Sequence, residues 1–383
     1  MTISDRFGDG DRLTHRLSSL AQELALDTET VLSTYHARVA PWIAERDACA
    51  SWQSEVSDDH TPIELSVTLT EGDAALRLLF EPQPARPTLD AAREAGLAFL
   101  DALETIPGVD LTRFRRVQDL FLPERMHGRF ALWISVVFAR GAEPEYKVYL
   151  DPHARGAAEA PALVEEALDR LGLPHAWASL RESALRRGPV LDETKYFALD
   201  LGSDPAARVK IYVHHHGATP ADLVTACENA CNGDAERVHA FARAMRGGDA
   251  PMRVRAPFTC HAFTATRDAR AEATVYVPVC AYAPDDEAVA ERVQEYLDRE
   301  PGVDSRRYRR VLRAAATRPL AAGVGLQSWF ALRCGARGPR FTVYLATESR
   351  RVFARGVIPA PSAPAPSPVR NVDVSSEALG REP

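Results

Sequence analysis

The sequence contains no apolar run approaching the length of a membrane-spanning helix, and no charged leader followed by an apolar core at its start. It therefore reads as a protein without a membrane segment. Positive charge is not in excess: 46 Lys and Arg stand against 53 Asp and Glu, for a formal net charge of −7. That balance argues against broad binding to nucleic acid or to anionic membranes, while a local basic cluster remains able to hold a phosphate. Cysteine is scarce, six in 383 residues, too few to staple a chain of this size, so a reducing cytoplasm is the expected compartment. Glycines are scattered, with no nucleotide-binding fingerprint between a strand and a helix. Asp58-Asp59 and Asp285-Asp286 do not continue into the Asp-Asp-x-x-Asp pattern that chelates magnesium, and read instead as turn and helix-capping residues. In His214-His215-His216 neighbours on a strand point to opposite faces, and Cys227 and Cys231 have no second pair to complete a zinc site. No metal ligand is expected.

What is present is an ordinary globular composition, 46% hydrophobic and 26% charged, carrying two alternating periodicities. Arg12 to Arg46 places Leu13, Leu17, Leu20 and Leu24 at helical spacing. Then Ile63, Leu65, Val67 and Leu69 alternate with Glu64, Ser66, Thr68 and Thr70, a strand of period two, and Glu71-Gly72-Asp73 turns the chain into a returning strand from Ala74 to Pro82. The unit recurs. Helices are expected over Leu89–Leu103, Ala162–Leu171, Ala221–Met245 and Asp286–Leu297. Strand pairs follow near 130–138 and 146–151, 195–201 and 208–214, 258–264 and 273–279, and 325–332 and 340–347.

The second strand of each pair carries a related string: Leu76-Arg77-Leu78-Leu79-Phe80, Tyr146-Lys147-Val148-Tyr149-Leu150, Val209-Lys210-Ile211-Tyr212-Val213, Ala273-Thr274-Val275-Tyr276-Val277 and Phe341-Thr342-Val343-Tyr344-Leu345. They recur at roughly 63 to 70 residues. Five helix-plus-hairpin units give ten antiparallel strands, and closing such a sheet into a barrel removes its edges, with helices covering the outside. The fold class is thus α+β, a ten-stranded antiparallel barrel of repeated αββα units, occupying residues 1–357 as one domain. Residues 358–383 are rich in Pro, Ala and Ser, cannot bury a core, and are expected to be a disordered tail.

Because residues two apart share a face, Lys147 with Tyr149, and Arg208 with Lys210, Tyr212 and His214, point one way while the apolar residues point the other. On one strand this is simply a solvated face. Repeated in five strings, it describes a barrel interior lined by cations and tyrosines, which needs an anionic ligand to offset its charge.

These residues resemble the aromatic prenyltransferases of the dimethylallyltryptophan synthase type, whose barrel is called the ABBA or PT fold. The likeness runs from about Thr14 to Thr347. Its most specific pieces are Ser57-Asp58-Asp59-His60-Thr61-Pro62-Ile63-Glu64-Leu65-Ser66, which is similar to bacterial members acting on free tryptophan, Tyr146-Lys147-Val148-Tyr149-Leu150, and Phe197-Ala198-Leu199-Asp200-Leu201 with Arg208-Val209-Lys210-Ile211-Tyr212. The resemblance implies that Arg77, Lys147, Arg208 and Lys210 hold a diphosphate, with one more cation near the last hairpin, Arg333 in preference to Arg340. It implies a shield of Tyr149, Tyr212, Tyr276 and Tyr344 around an allylic cation, and a carboxylate, Glu64, that accepts the indole N–H. Trp133 and Trp329 are candidates to flank the indole, packing being their competing role.

Two departures stand out. Asp151 replaces a tyrosine that many fungal members place against the amino-acid part of the substrate. Ile134 falls where some carbon-prenylating relatives carry a base, which tilts the expectation toward attachment at N1 with Glu64 receiving the proton, in normal or reverse orientation. The implied reaction joins dimethylallyl diphosphate, a co-substrate, to L-tryptophan and releases pyrophosphate, with no cofactor or metal required. A ring carbon such as C6, or another indole such as a cyclic dipeptide or an indolactam, is the alternative. A non-catalytic barrel binding a small molecule is the reading from another class. Partners are expected to be small molecules only, in a monomer or a homodimer.

Overall fold

The computed structural model describes residues 9–43, 53–84, 88–265, 270–335 and 338–357, so the expected tail lies outside the described residues. The ten strands are β1 (Ile63–Leu69), β2 (Ala74–Phe80), β3 (Leu132–Ala139), β4 (Glu145–Leu150), β5 (Asp192–Asp200), β6 (Val209–His215), β7 (Phe258–Phe263), β8 (Glu272–Val277), β9 (Gln327–Arg333) and β10 (Arg340–Ala346). Each pairs antiparallel with its neighbour in the chain, and β10 pairs with β1 to close the barrel. The expected fold is what forms. A further two-residue ladder joins Gly323–Val324 to Phe353–Ala354 beside it.

The alternation along each strand splits the buried residues into two bodies. Leu65, Val67, Leu78, Val136, Val148, Leu150, Ile211, Val213, Val277 and Leu345 point outward, into a large apolar layer shared with the helices. Phe130, Trp133, Tyr149, Ala198, Tyr212 and Cys260 form a second, inner cluster. Helices supply the outer half of the first body through Leu17 and Leu20 of α1 (Asp9–Glu23), Phe99 and Leu100 of α4 (Leu89–Leu103), and Phe114 and Phe121 of α5 (Thr112–Phe121).

Helix boundaries differ from expectation for local reasons. The long N-terminal helix breaks after Glu23, where Ala25 takes a left-handed φ of 52°. Leu26 N–H donates to Ala21 O and Ala25 N–H to Gln22 O, a C-terminal closure that satisfies the last carbonyls. Asp27 then caps α2 (Thr28–Thr34), and the chain continues through a π-helical turn, Tyr35–Val39, into α3 (Ala40–Ile43). Most units also hold two helices rather than one. After α6 (Ala160–Arg170) and α7 (Pro174–Glu182), the stretch read as one helix from 221 to 245 is α8 (Pro220–Ala226) and α9 (Ala235–Arg246), and α10 (Asp286–Leu297) is followed by α11 (Ser305–Ala315). Cys231 lies beyond the end of α8, off any helix face shared with Cys227. No described helix is long and apolar enough to cross a membrane.

Candidate active site

Hairpin turns gather at one end of the barrel and helical connections at the other, and the two ends differ chemically. At the hairpin end, Lys147 lies opposite Asp200 across β4 and β5, with Nζ 3.1 Å from Oδ1. Arg208 Nε donates to Asp200 Oδ2 at 2.7 Å, and Lys210 Nζ lies 3.8 Å from Oδ1. Burial would raise the Asp200 carboxyl, but Lys210, Lys147 and Arg208 outweigh it and hold the group well below the usual range. Burial, then the Arg208 guanidinium, pushes Lys147 down to about 8, and the same two causes hold Lys210 well below its ordinary value. Arg77 completes this group, donating to Tyr344 Oη at 3.3 Å while its Nε has no protein acceptor. Arg333 lies on the same inner face, 3.3 Å from Glu272, and directly opposite the exposed Arg340.

Above the cations the interior becomes aromatic. Tyr149, Tyr212, Tyr276 and Tyr344 follow one another around the wall, with successive ring centroids 5.9, 6.0 and 5.8 Å apart. Tyr196 joins them, 5.9 Å from Tyr212. They surround a cavity of about 540 Å³ that Arg77, Glu64, Trp133 and Trp329 also line. Trp133 stacks on Phe130 at 4.0 Å and Trp329 on Phe258 at 4.3 Å.

Glu64 projects from β1 into this band and accepts from Ser328 Oγ at 2.9 Å. Ser328 reaches it because the β9–β10 register shifts between Gln327 and Trp329, re-aiming a residue that strict alternation would send outward. Burial pushes the Glu64 carboxyl up to about 8. Over Trp329 lies the Arg255 guanidinium, 4.2 Å from the ring centroid and hydrogen-bonded to Asp58. Toward the mouth, Arg129 pairs with Glu55 at 3.3 Å. Lys195, extruded by a second register shift between Thr194 and Tyr196, lies 3.7 Å from Glu193.

The sequence candidates share the inner face of the barrel, with one exception. Ile134 does not line the cavity. It sits opposite Val148 and Phe80 and belongs to the outer layer under the helices, because Trp133 takes the inward position of β3. Asp151 is not among the lining residues either: its carboxylate accepts from Arg129 N–H and His153 N–H, both at 2.8 Å, and anchors the loop. As expected, Asp59 makes a turn with Thr61 and Asp285 caps α10. Sequence reasoning missed Asp200, Tyr196, Lys195, Ser328 and the Arg255–Asp58 pair. Tyr196 and Asp200 share the period-two face with Ala198 and were legible. Arg255 sits in a loop with no local signal. One group of metal-ligating side chains occurs among the described residues: Glu193, His214 and His216 each bring a ligand atom within 4.8 Å of the others.

A cationic floor suits a phosphorylated leaving group, an aromatic band suits a carbocation, and a buried carboxylate suits an N–H donor. Comparison with known proteins agrees. Residues 22–309 match the family model described as tryptophan dimethylallyltransferase. The chain is similar to 6-dimethylallyltryptophan synthase from Micromonospora olivasterospora, at 34% identity and a TM-score of 0.84 over 91% of this chain and 99% of that one. It is similar to PriB in its ternary complex with L-tryptophan and dimethylallyl thiolodiphosphate, at 31% identity and 0.81 over 91% and 99%. A third likeness is to 5-dimethylallyltryptophan synthase from Streptomyces coelicolor, at 29% identity and 0.81 over 90% and 99%. With this barrel, this interior and these matches, the chain belongs to the tryptophan dimethylallyltransferase family and is an aromatic prenyltransferase of the ABBA fold, moving a dimethylallyl group from its diphosphate to an indole.

Proposed function

We propose that the acceptor is free L-tryptophan and that the attacking atom is a carbon of its benzene ring, with C6 the leading position. The observation that carries this reading is Glu64, a buried carboxylate between the tyrosine band and the mouth, held by Ser328. An indole N–H directed at Glu64 places the benzene ring among Trp133, Trp329 and the tyrosines. Arg77, Lys147, Arg208 and Lys210 would hold the diphosphate as the allylic C–O bond breaks, and the tyrosine faces would stabilise the cation and exclude water. The mouth offers both charge signs that an α-amino acid needs, Lys195 and Arg129 for the carboxylate and Glu55 for the ammonium. Support for C6 comes from the 6-dimethylallyltryptophan synthases at 34% identity. The expectation of N1 rested on Ile134 standing in the pocket, and that support is withdrawn.

Attachment at N1 remains the second reading because a carboxylate pushed up to about 8 is suited to taking a proton near neutral pH. NMR of the product from tryptophan and dimethylallyl diphosphate decides between them. 1-Methyltryptophan sharpens the test, since it keeps the ring carbons and lacks the N–H. Prenylation of it at the same ring carbon as tryptophan is the expected result, and an N1-linked product from tryptophan would overturn the C6 reading. Pyrophosphate release that ignores tryptophan would overturn the acceptor itself.

A further inference from the structure

The mouth holds a cluster that prenyl transfer does not use. Glu193 lies directly opposite His214 across β5 and β6, and His216 follows two residues later, so both imidazoles fall on the side of the carboxylate. His215 points the other way, to Asp192 at 2.8 Å and Thr259 at 2.7 Å. On the inner side, His216 Nε2 lies 2.8 Å and His214 Nδ1 3.7 Å from the same oxygen, Glu193 Oε2. Lys195 and His153 address the other oxygen, Oε1, at 3.7 and 3.4 Å. The carboxylate is thus divided into a cation-bearing side and a side faced only by imidazoles.

That division has the dimensions of a coordination site. Ligand atoms bound tetrahedrally at about 2.0–2.1 Å from zinc are about 3.4 Å apart, the scale of the spacings around Oε2. The ligands are also pre-positioned. His214 is stacked on Phe258, with centroids 4.1 Å apart and planes at 7°, which fixes the ring. His153 Nδ1 is 3.2 Å from Asp151, which directs Nε2 at Glu193, the kind of outer partner that orients a metal-binding carboxylate.

We propose that Glu193, His214 and His216 form a binding site for a borderline divalent cation of the zinc type at the cavity mouth, with water in the fourth position. Two imidazoles and one carboxylate favour zinc, nickel or copper over magnesium and calcium. Since His214 and His216 line the entrance, the bound ion narrows it, and zinc inhibits prenyl transfer in a manner that a chelator reverses.

The test uses the full chain without a histidine tag and zinc chloride as the probe, followed by competition with a chromophoric chelator. Wild type is expected to take up zinc in a single saturable step. Losing an outer partner of a metal ligand already costs about tenfold to a hundredfold in affinity, so His216→Ala and Glu193→Gln should each weaken binding by at least about tenfold. His216 is only half-buried, and melting in the presence of EDTA checks that each variant is folded; His216→Gln, which keeps a polar side chain without an imidazole, replaces His216→Ala if that variant melts early. Absence of uptake by wild type, or equal affinity in a folded His216 variant, overturns the proposal. Because zinc uptake is read without turnover, and turnover is read in EDTA, failure of this site leaves the prenyltransferase reading untouched, and the converse holds.

Discussion

At the hairpin end of the barrel, Lys147, Arg208 and Lys210 share one carboxylate, Asp200, and Arg77 is bonded to Tyr344, whereas at the mouth the charges come in pairs: Asp58 with Arg255, Glu55 with Arg129, Glu193 with Lys195. A buried excess of one sign is costly unless a ligand of the other sign arrives, and burial already drives Lys147 and Lys210 toward their neutral forms. Matched pairs carry no such demand, and suit a zwitterion that can exchange partners on entry. On the proposed reading, one end would receive the anionic diphosphate and the other would admit the zwitterionic amino acid. Glu64 stands between them, held by a hydroxyl rather than a cation.

The largest effect should come from the floor. Hydrogen bonds to charged groups contribute about 1.5–3 kcal/mol, so Lys147→Ala or Lys210→Ala should lower kcat/KM for dimethylallyl diphosphate by about tenfold to a hundredfold, while Glu55→Gln at the mouth should act on the KM for tryptophan by less than about tenfold. Steady-state kinetics with each substrate varied reads both, and wild-type values in the lysine variants would break the contrast between the ends.

Glu64→Gln should cost about tenfold if a ring carbon attacks, because the carboxylate then only enriches the ring; a loss of about a hundredfold or more is the signature of a base working at N1. Since burial pushes Glu64 up to about 8, the ionised form that accepts the N–H grows as pH rises toward that value. The pH profile of kcat/KM for tryptophan should therefore climb between neutrality and about 8, and Glu64→Gln should flatten it.

A smaller signal is a fraction of a proton. An anion arriving beside Lys147 and Lys210 raises both, so pyrophosphate binding near pH 8 should be accompanied by proton uptake. Calorimetry in buffers of different ionisation enthalpy measures it. No uptake would mean that both lysines are already charged in the empty site.

The smallest expected effect is none: turnover should persist in excess EDTA, since on the proposed reading the floor cations would supply the charge stabilisation that a metal supplies elsewhere. Loss of activity on chelation, restored by magnesium, would remove that role from the floor.

Much of this division is legible in the sequence. The five strings placed Lys147, Lys210 and the four tyrosines on one face, and that face is the inner one. Ile134 shows the limit, because a resemblance shifted by one residue exchanges Trp133 for Ile134 and turns a wall residue into an outer one. Ser328 and Lys195 show another. Both are delivered by register shifts, and a shift depends on how one strand pairs with the next rather than on its own composition.

Residue order alone determined the period of two, the repeat of the helix-plus-hairpin unit, and hence the strand count and the separation of polar from apolar faces, since alternation is a local property of an extended chain. Tertiary structure decided which distant groups meet. Asp58 reaches Arg255 across the mouth and Ser328 reaches Glu64, because closing the sheet brings side chains from separate units to one axis, while pairing of neighbouring strands gives Asp200 its cations from β4 and β6 and sets Glu193 beside His214 and His216. Closure also sets the electrostatics: the same lysines and the same glutamate would hold ordinary charges in water, and burial within the barrel, together with the charges gathered beside them, shifts them.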